Sequence, residues 1–167
     1  MKVIKTKEKK YPLILYYQDK KIKIPKQAYF SNTWLKAHGC SIMAEYIALQ
    51  YLGKHIWPVN LLKWHKQNTK TEVKAKVTLK GVTKGINHFF KGRAKYINTP
   101  TFEKVDNALK NNHIVIFEQK NPIHSIVIFR DNNINYMITY GKVIKINLKK
   151  IVKTKSSNKT YRGMIII

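Results

Sequence analysis

Residues 38–53 read HGCSIMAEYIALQYLG, and no other stretch constrains the fold as tightly. A helix running from Cys40 to a Gly53 cap carries apolar side chains on every face, interrupted only by Glu45 and Gln50. Such a helix has no side to give to water, so it belongs in the middle of the molecule with other elements packed around it. Gly53 suits the left-handed residue that closes a helix. With 167 residues, 44% of them hydrophobic, the chain is long enough to build one core around this helix. A single domain spanning 1–167 is therefore expected.

The flanking sequence supplies the other layers. Tyr11–Tyr17 and Lys21–Pro25, joined by the polar Gln18-Asp19-Lys20, predict a hairpin whose second arm alternates strictly. Residues 26–39 read as a loop. Pro58 opens a second helix through Val59, Leu61, Leu62 and Trp64, and residues 68–78 read as an irregular polar loop. A third, short helix is expected around Val82, Ile86, Phe89 and Phe90. A fourth follows a Thr99-Pro100 cap, with Phe102, Val105 and Leu109 on one face and Asn111-Asn112 at its end.

Strands follow: His113–Phe117, a Lys120-Asn121-Pro122 turn, His124–Arg130, the Asp131-Asn132-Asn133 turn, Ile134–Tyr140, and Lys142–Val152 after Gly141. Lys153–Thr160 reads as a polar loop and Met164–Ile167 as an added edge strand. Helices first and an antiparallel sheet second define an α+β fold.

The net charge is +25, from 33 basic and 8 acidic residues. Thirty of the basic residues are Lys and three are Arg (Arg93, Arg130, Arg162). Readers of phosphate and bases favour the planar Arg fork, so the charge first describes a solvated Lys-rich surface. An anionic partner, whether nucleic acid, acidic lipid or a polymer, is the second expectation. In that case Tyr29, Phe30 and Trp34, beside Lys26 and Lys36, are the candidate stacking residues. No apolar run reaches the roughly 18 residues of a membrane span. The apolar part of the N-terminus, Tyr11–Tyr17, is too short for a signal peptide. Cytoplasmic location is the default, and secretion the alternative if a leader precedes these residues.

Cys40 is the only cysteine, which excludes an internal disulfide and a multi-cysteine zinc site. A thiol at a helix N-terminus faces unpaired backbone N–H groups and the positive end of the dipole, and both favour thiolate. A nucleophilic thiol also needs a histidine partner. The competing reading is a small hydrophobe that opens a core helix. Of six histidines, His124 opens an apolar strand after a turn, where its ring can project into a cleft. His38 can line such a cleft but lies too close in sequence to serve the thiol. His55, His65 and His88 lack metal-ligand spacing, and there is no HExxH motif, so no metal or other cofactor is expected. His113 reads as structural.

Gly39-Cys40 with Ala44, Tyr51-Leu52-Gly53 at the helix end, Phe102–Leu109 before Ile114–Phe117, and His124-Ser125-Ile126-Val127 occur in a telling order. The order resembles the papain-like cysteine peptidase superfamily. Within it, the chain is most similar to the bacteriocin-processing (double-glycine) peptidase-like family and its stand-alone bacterial relatives, over roughly residues 24–141. The resemblance implies a papain-like domain whose Cys-bearing helix packs on the sheet. It implies Cys40 as nucleophile, His124 as general base and ion-pair partner, and hydrolysis of a peptide or protein substrate through an acyl-enzyme. The family pattern continues Cys-Gly-Pro, where this chain has Ser41-Ile42. The family's orienting Asp falls at about Thr139, and Asp131 lies in the far turn of the hairpin. The family's oxyanion Gln, about six residues before the cysteine, falls on Trp34; Gln27 takes that place if the intervening segment is lengthened. An inactive papain-like domain that binds peptide or protein, and a basic module for nucleic acid or anionic polymer, are the alternatives.

Overall fold

In the computed structural model the apolar helix, α2 (Cys40–Tyr51), is buried at every position from Ser41 to Gln50. Residues 1–70, 73, 76–119, 123–152 and 161–167 are described. The expected Lys120-Asn121-Pro122 turn, the Lys153–Thr160 loop and part of the 68–78 loop lie outside them. Gly53 follows α2 at φ +95°, a conformation that suits glycine far better than a residue with a side chain.

The protein is mixed α and β, with a helical part and two antiparallel sheets. The predicted hairpin forms as β2 (Leu13–Tyr17) and β3 (Lys20–Ile24), and β1 (Lys2–Lys5) adds a third strand that the sequence did not announce. The short apolar run near the N-terminus thus becomes sheet.

Residues 26–39 are not the uniform loop expected. A 3₁₀ turn at Gln27–Tyr29 is followed by α1 (Thr33–His38), whose Asn32 side chain accepts the Leu35 N–H at 2.9 Å. That cap makes so short a helix viable. Next come α3 (Pro58–Asn68), with Pro58 in its first turn, and α4 (Leu79–Phe89), capped by Thr78. The helix α5 (Phe102–Lys110) is capped by Thr101, two residues after the expected Thr99.

The second sheet has six strands in the order β4 (Lys95–Ile97), β9 (Tyr161–Ile166), β5 (Val115–Gln119), β6 (His124–Asp131), β7 (Ile134–Thr139) and β8 (Lys142–Lys145). Two expectations are corrected here. The stretch 142–152 is not one strand, because Asn147 caps a turn of helix, α6 (Leu148–Ile151). The last strand is not an edge: it lies between β4 and β5, with Met164 and Ile165 fully buried. A strand apolar on both faces suits an interior position.

The sheet separates two cores. Ile116, Val127, Phe129, Ile138 and Ile165 face the core built around α2, while Val115, Phe117, Ile126, Ile128 and Met164 face α5 and α6. Three two-residue turns, Gln18-Asp19, Asn132-Asn133 and Tyr140-Gly141, join their strands with both central residues at positive φ. This is the hairpin geometry that matches strand twist. Among the described residues no helix is long and apolar enough to cross a membrane.

Candidate active site

Gly39 is at once the C-cap of α1 and the N-cap of α2. A side chain there would collide with the Leu35 carbonyl, so glycine is what lets the two helices abut. Because Met43 N–H makes the first bond back to the Gly39 carbonyl, the Cys40 amide lies ahead of the helix's own ladder. The Cys40 side chain is half-buried at that end.

Packing of α2 against β6 sets the thiol's helix beside the strand that starts at His124. One residue on from each, Ser41 Oγ and Ser125 Oγ share a buried hydrogen bond of 3.1 Å. This bond ties the first turn of the helix to the start of β6.

Pairing of Val127 with Ile138 brings the end of β7 beside the start of β6. Thr139 Oγ1 there lies 2.7 Å from His124 Nε2. One ring nitrogen is thereby held, and the other, Nδ1, makes no hydrogen bond among the described residues. Burial pushes the His124 imidazole below its ordinary value, because a buried cation loses its hydration.

Tyr140 lies flat on the same imidazole, with ring centroids 4.2 Å apart and planes 4° from parallel. A bulky residue at φ +48° is an outlier, and the turn that imposes this φ is also what puts the ring on His124. Tyr140→Gly is expected to preserve or raise the melting temperature, since glycine suits that backbone. The same change uncovers the imidazole, so His124 should titrate closer to its ordinary value in an NMR titration of its ring protons. An unchanged titration would show that the burial comes from elsewhere.

Cys40, His124, Thr139 and Gln27 line one cleft, with an apolar floor of Met43, Ala44, Ile47, Val127 and Ile138, and Tyr140-Gly141 at the rim. The cleft opens to solvent, and its water-sized space amounts to about 30 Å³, room for a water or two. Gln27 Nε2 donates to the Lys36 carbonyl at 3.1 Å. An amide nitrogen carries two hydrogens, so the second can serve another acceptor.

The remaining sequence candidates lie elsewhere. Trp34 packs edge-on to His38, and Asp131 pairs with the N-terminal amine at 3.3 Å, at the end of β6 remote from His124. Phe30 is buried against Tyr11, which removes it as a stacking platform. Tyr29 is exposed, with Lys26 Nζ 4.8 Å from its ring centre. His113 Nδ1 lies 3.0 Å from the Ile167 carbonyl. Among the described residues no group of three or more metal-ligating side chains converges.

Three features escaped the sequence reading: the Tyr140 ring, the Ser41–Ser125 bond, and a buried Glu45–His65 pair on the far side of α2. A Tyr-Gly pair ending a strand was the available signal for the first. Compared with known proteins, the chain matches no family model and no curated protein.

Proposed function

We propose that the protein is a papain-like cysteine peptidase or amidase, with Cys40 as nucleophile and His124 as its base. The observation that carries this reading is that Cys40, His124, Thr139 and Gln27 line the same cleft although they come from four different elements. Their convergence supports a chemical role, because packing alone requires no such set.

On this reading His124 Nδ1 takes the thiol proton as Cys40 Sγ bonds to the carbonyl carbon of a peptide. The carbonyl oxygen becomes an oxyanion, for which the Cys40 N–H and the second N–H of Gln27 are the candidate donors. The imidazolium then returns its proton to the leaving amine, and the C–N bond breaks to leave an acyl-enzyme. Water, deprotonated by the same imidazole, releases the acid and regenerates the thiol. Thr139 holds the ring without contributing charge, so its role is orientation alone.

The test is cleavage of a mixed decapeptide library followed by mass spectrometry. Wild-type protein should generate new termini that are absent with Cys40→Ala. Gln27→Ala should lower kcat about 10²–10³-fold, the usual consequence of losing an oxyanion donor, with little change in KM. Equal products from wild type and Cys40→Ala would refute the reading.

A further inference from the structure

We propose that the cleft receives acidic peptides, with substrate carboxylates seated on Lys26, Lys36 and Lys142; the assignment of hydrolysis to this binding rests on the peptidase reading above. Lys26 stands between two residues that line the cleft, Pro25 and Gln27, and its Cβ would lie 2.8 Å from a Cβ placed on Gly141. Glycine at 141 therefore lets the Lys26 stem close against the Tyr140-Gly141 rim. Lys142 is the next residue along that rim and is exposed. Lys36 is exposed, and its carbonyl holds the Gln27 amide. None of the three takes part in an ion pair among the described residues.

Acids are positioned elsewhere. No acidic residue lines the cleft. Of the described carboxylates, Glu8, Glu45, Asp106, Glu118 and Asp131 are each matched with a basic group. The two that remain are remote. Asp19 sits in the β2–β3 turn beside Tyr17, whose hydroxyl donates to the Arg130 carbonyl at the end of β6 away from His124. Glu103 is on α5, across the sheet from α2. Positive charge without a carboxylate partner among the described residues thus stands beside the cleft, where an anionic substrate can meet it.

A peptide fits this rim better than a nucleic acid. The cations are ammonium groups rather than bidentate guanidinium forks, and Arg130 is already held by Asp106.

Protection of Cys40 from iodoacetamide tests the proposal on the whole chain. Two decapeptide pools would be compared, one containing Asp and Glu, the other with Asn and Gln in their places. The acidic pool should protect at concentrations about tenfold lower, an advantage built from three exposed pairings of modest strength and erased by molar salt. Lys26→Gln/Lys36→Gln/Lys142→Gln should collapse the difference between pools. The single Lys142→Glu should weaken protection by the acidic pool if the triple variant folds poorly. Equal protection by both pools, no protection by either, or equal protection by a DNA oligonucleotide would overturn the assignment. Because protection reads occupancy, it stands apart from the library cleavage that decides the peptidase reading.

Discussion

Iodoacetamide should label native Cys40 at pH 6–7 about 10²-fold faster than it labels the His124→Ala protein, the scale of help a positioned base gives. Burial lowers the titration of the His124 imidazole below the ordinary 6.5, so between that lowered value and neutrality the ring is uncharged and able to accept the thiol proton. The wild-type rate should rise with pH through the His124 titration, and His124→Ala should lose that limb. Thr139→Val should keep the limb and blur its amplitude, because the ring loses its tether. Thr139→Asp should move the limb to higher pH, since an anion beside the ring favours imidazolium. Stability should move with it. A histidine with a lowered folded value stabilises fully above the unfolded 6.5 and loses that contribution as pH falls through the folded value. His124→Ala should therefore flatten the acid side of the stability curve between those two points. Identical profiles for wild type and His124→Ala would leave Cys40 as a packing residue.

Local signals were legible in the sequence, and partner choice was not. The helix α2 could be read because apolar side chains on all faces admit one kind of location, and α3 because Pro58 marks its first turn. The hairpin strands β2, β3, β6 and β7 were legible from alternation and turn residues. The strand β9 was visible as apolar residues, yet its place between β4 and β5 depends on segments far away in the chain. The strands β1 and β4 are short, the first fully exposed, and carry little hydrophobic pattern. At the site, Cys40 and His124 stood out because each begins an apolar element. Thr139 and Gln27 were visible only through the family resemblance. Tyr140 was hidden because its role comes from a backbone angle, and angles at such turns are set by strand pairing more than by the tyrosine itself.

Glu45 was read as a polar break in an apolar helix, and it is the residue whose replacement should cost most stability. It is fully buried, with Oε2 2.5 Å from His65 Nε2. His65 Nδ1 lies 2.9 Å from Thr69 Oγ1, whose hydroxyl in turn donates to the His65 carbonyl at 3.0 Å. Since the Thr69 proton is committed, its oxygen must accept the Nδ1–H. A neutral His65 then has Nε2 as an acceptor, and a protonated Glu45 supplies the missing proton. Burial, opposed by the His65 hydrogen bond and charge, raises the Glu45 carboxyl above its ordinary value, in keeping with that neutral chain. Its other oxygen, Oε1, has no hydrogen-bond partner among the described residues, and a Cβ on Gly85 would collide with it. An unpartnered carbonyl oxygen costs less than an unpartnered carboxylate oxygen. Glu45→Ala leaves His65 unsatisfied and opens a void, so it should cost about 3 kcal/mol, read by urea denaturation. Glu45→Met/His65→Leu removes both partners and should cost far less. The pH dependence has a definite sign. With a folded value above the unfolded one, the contribution of Glu45 is complete below the unfolded value near 4.5 and is lost as pH rises through the folded value. Glu45→Gln should flatten stability over that window. If Glu45→Gln leaves the slope unchanged, the carboxylate is ionised throughout and the pair is a true ion pair. Because Glu45 and Cys40 share α2, loosening this pair should also loosen the helix that presents the thiol. A loss of Cys40 reactivity in Glu45→Ala, recovered in Glu45→Met/His65→Leu, would trace that link from a buried proton to the candidate nucleophile.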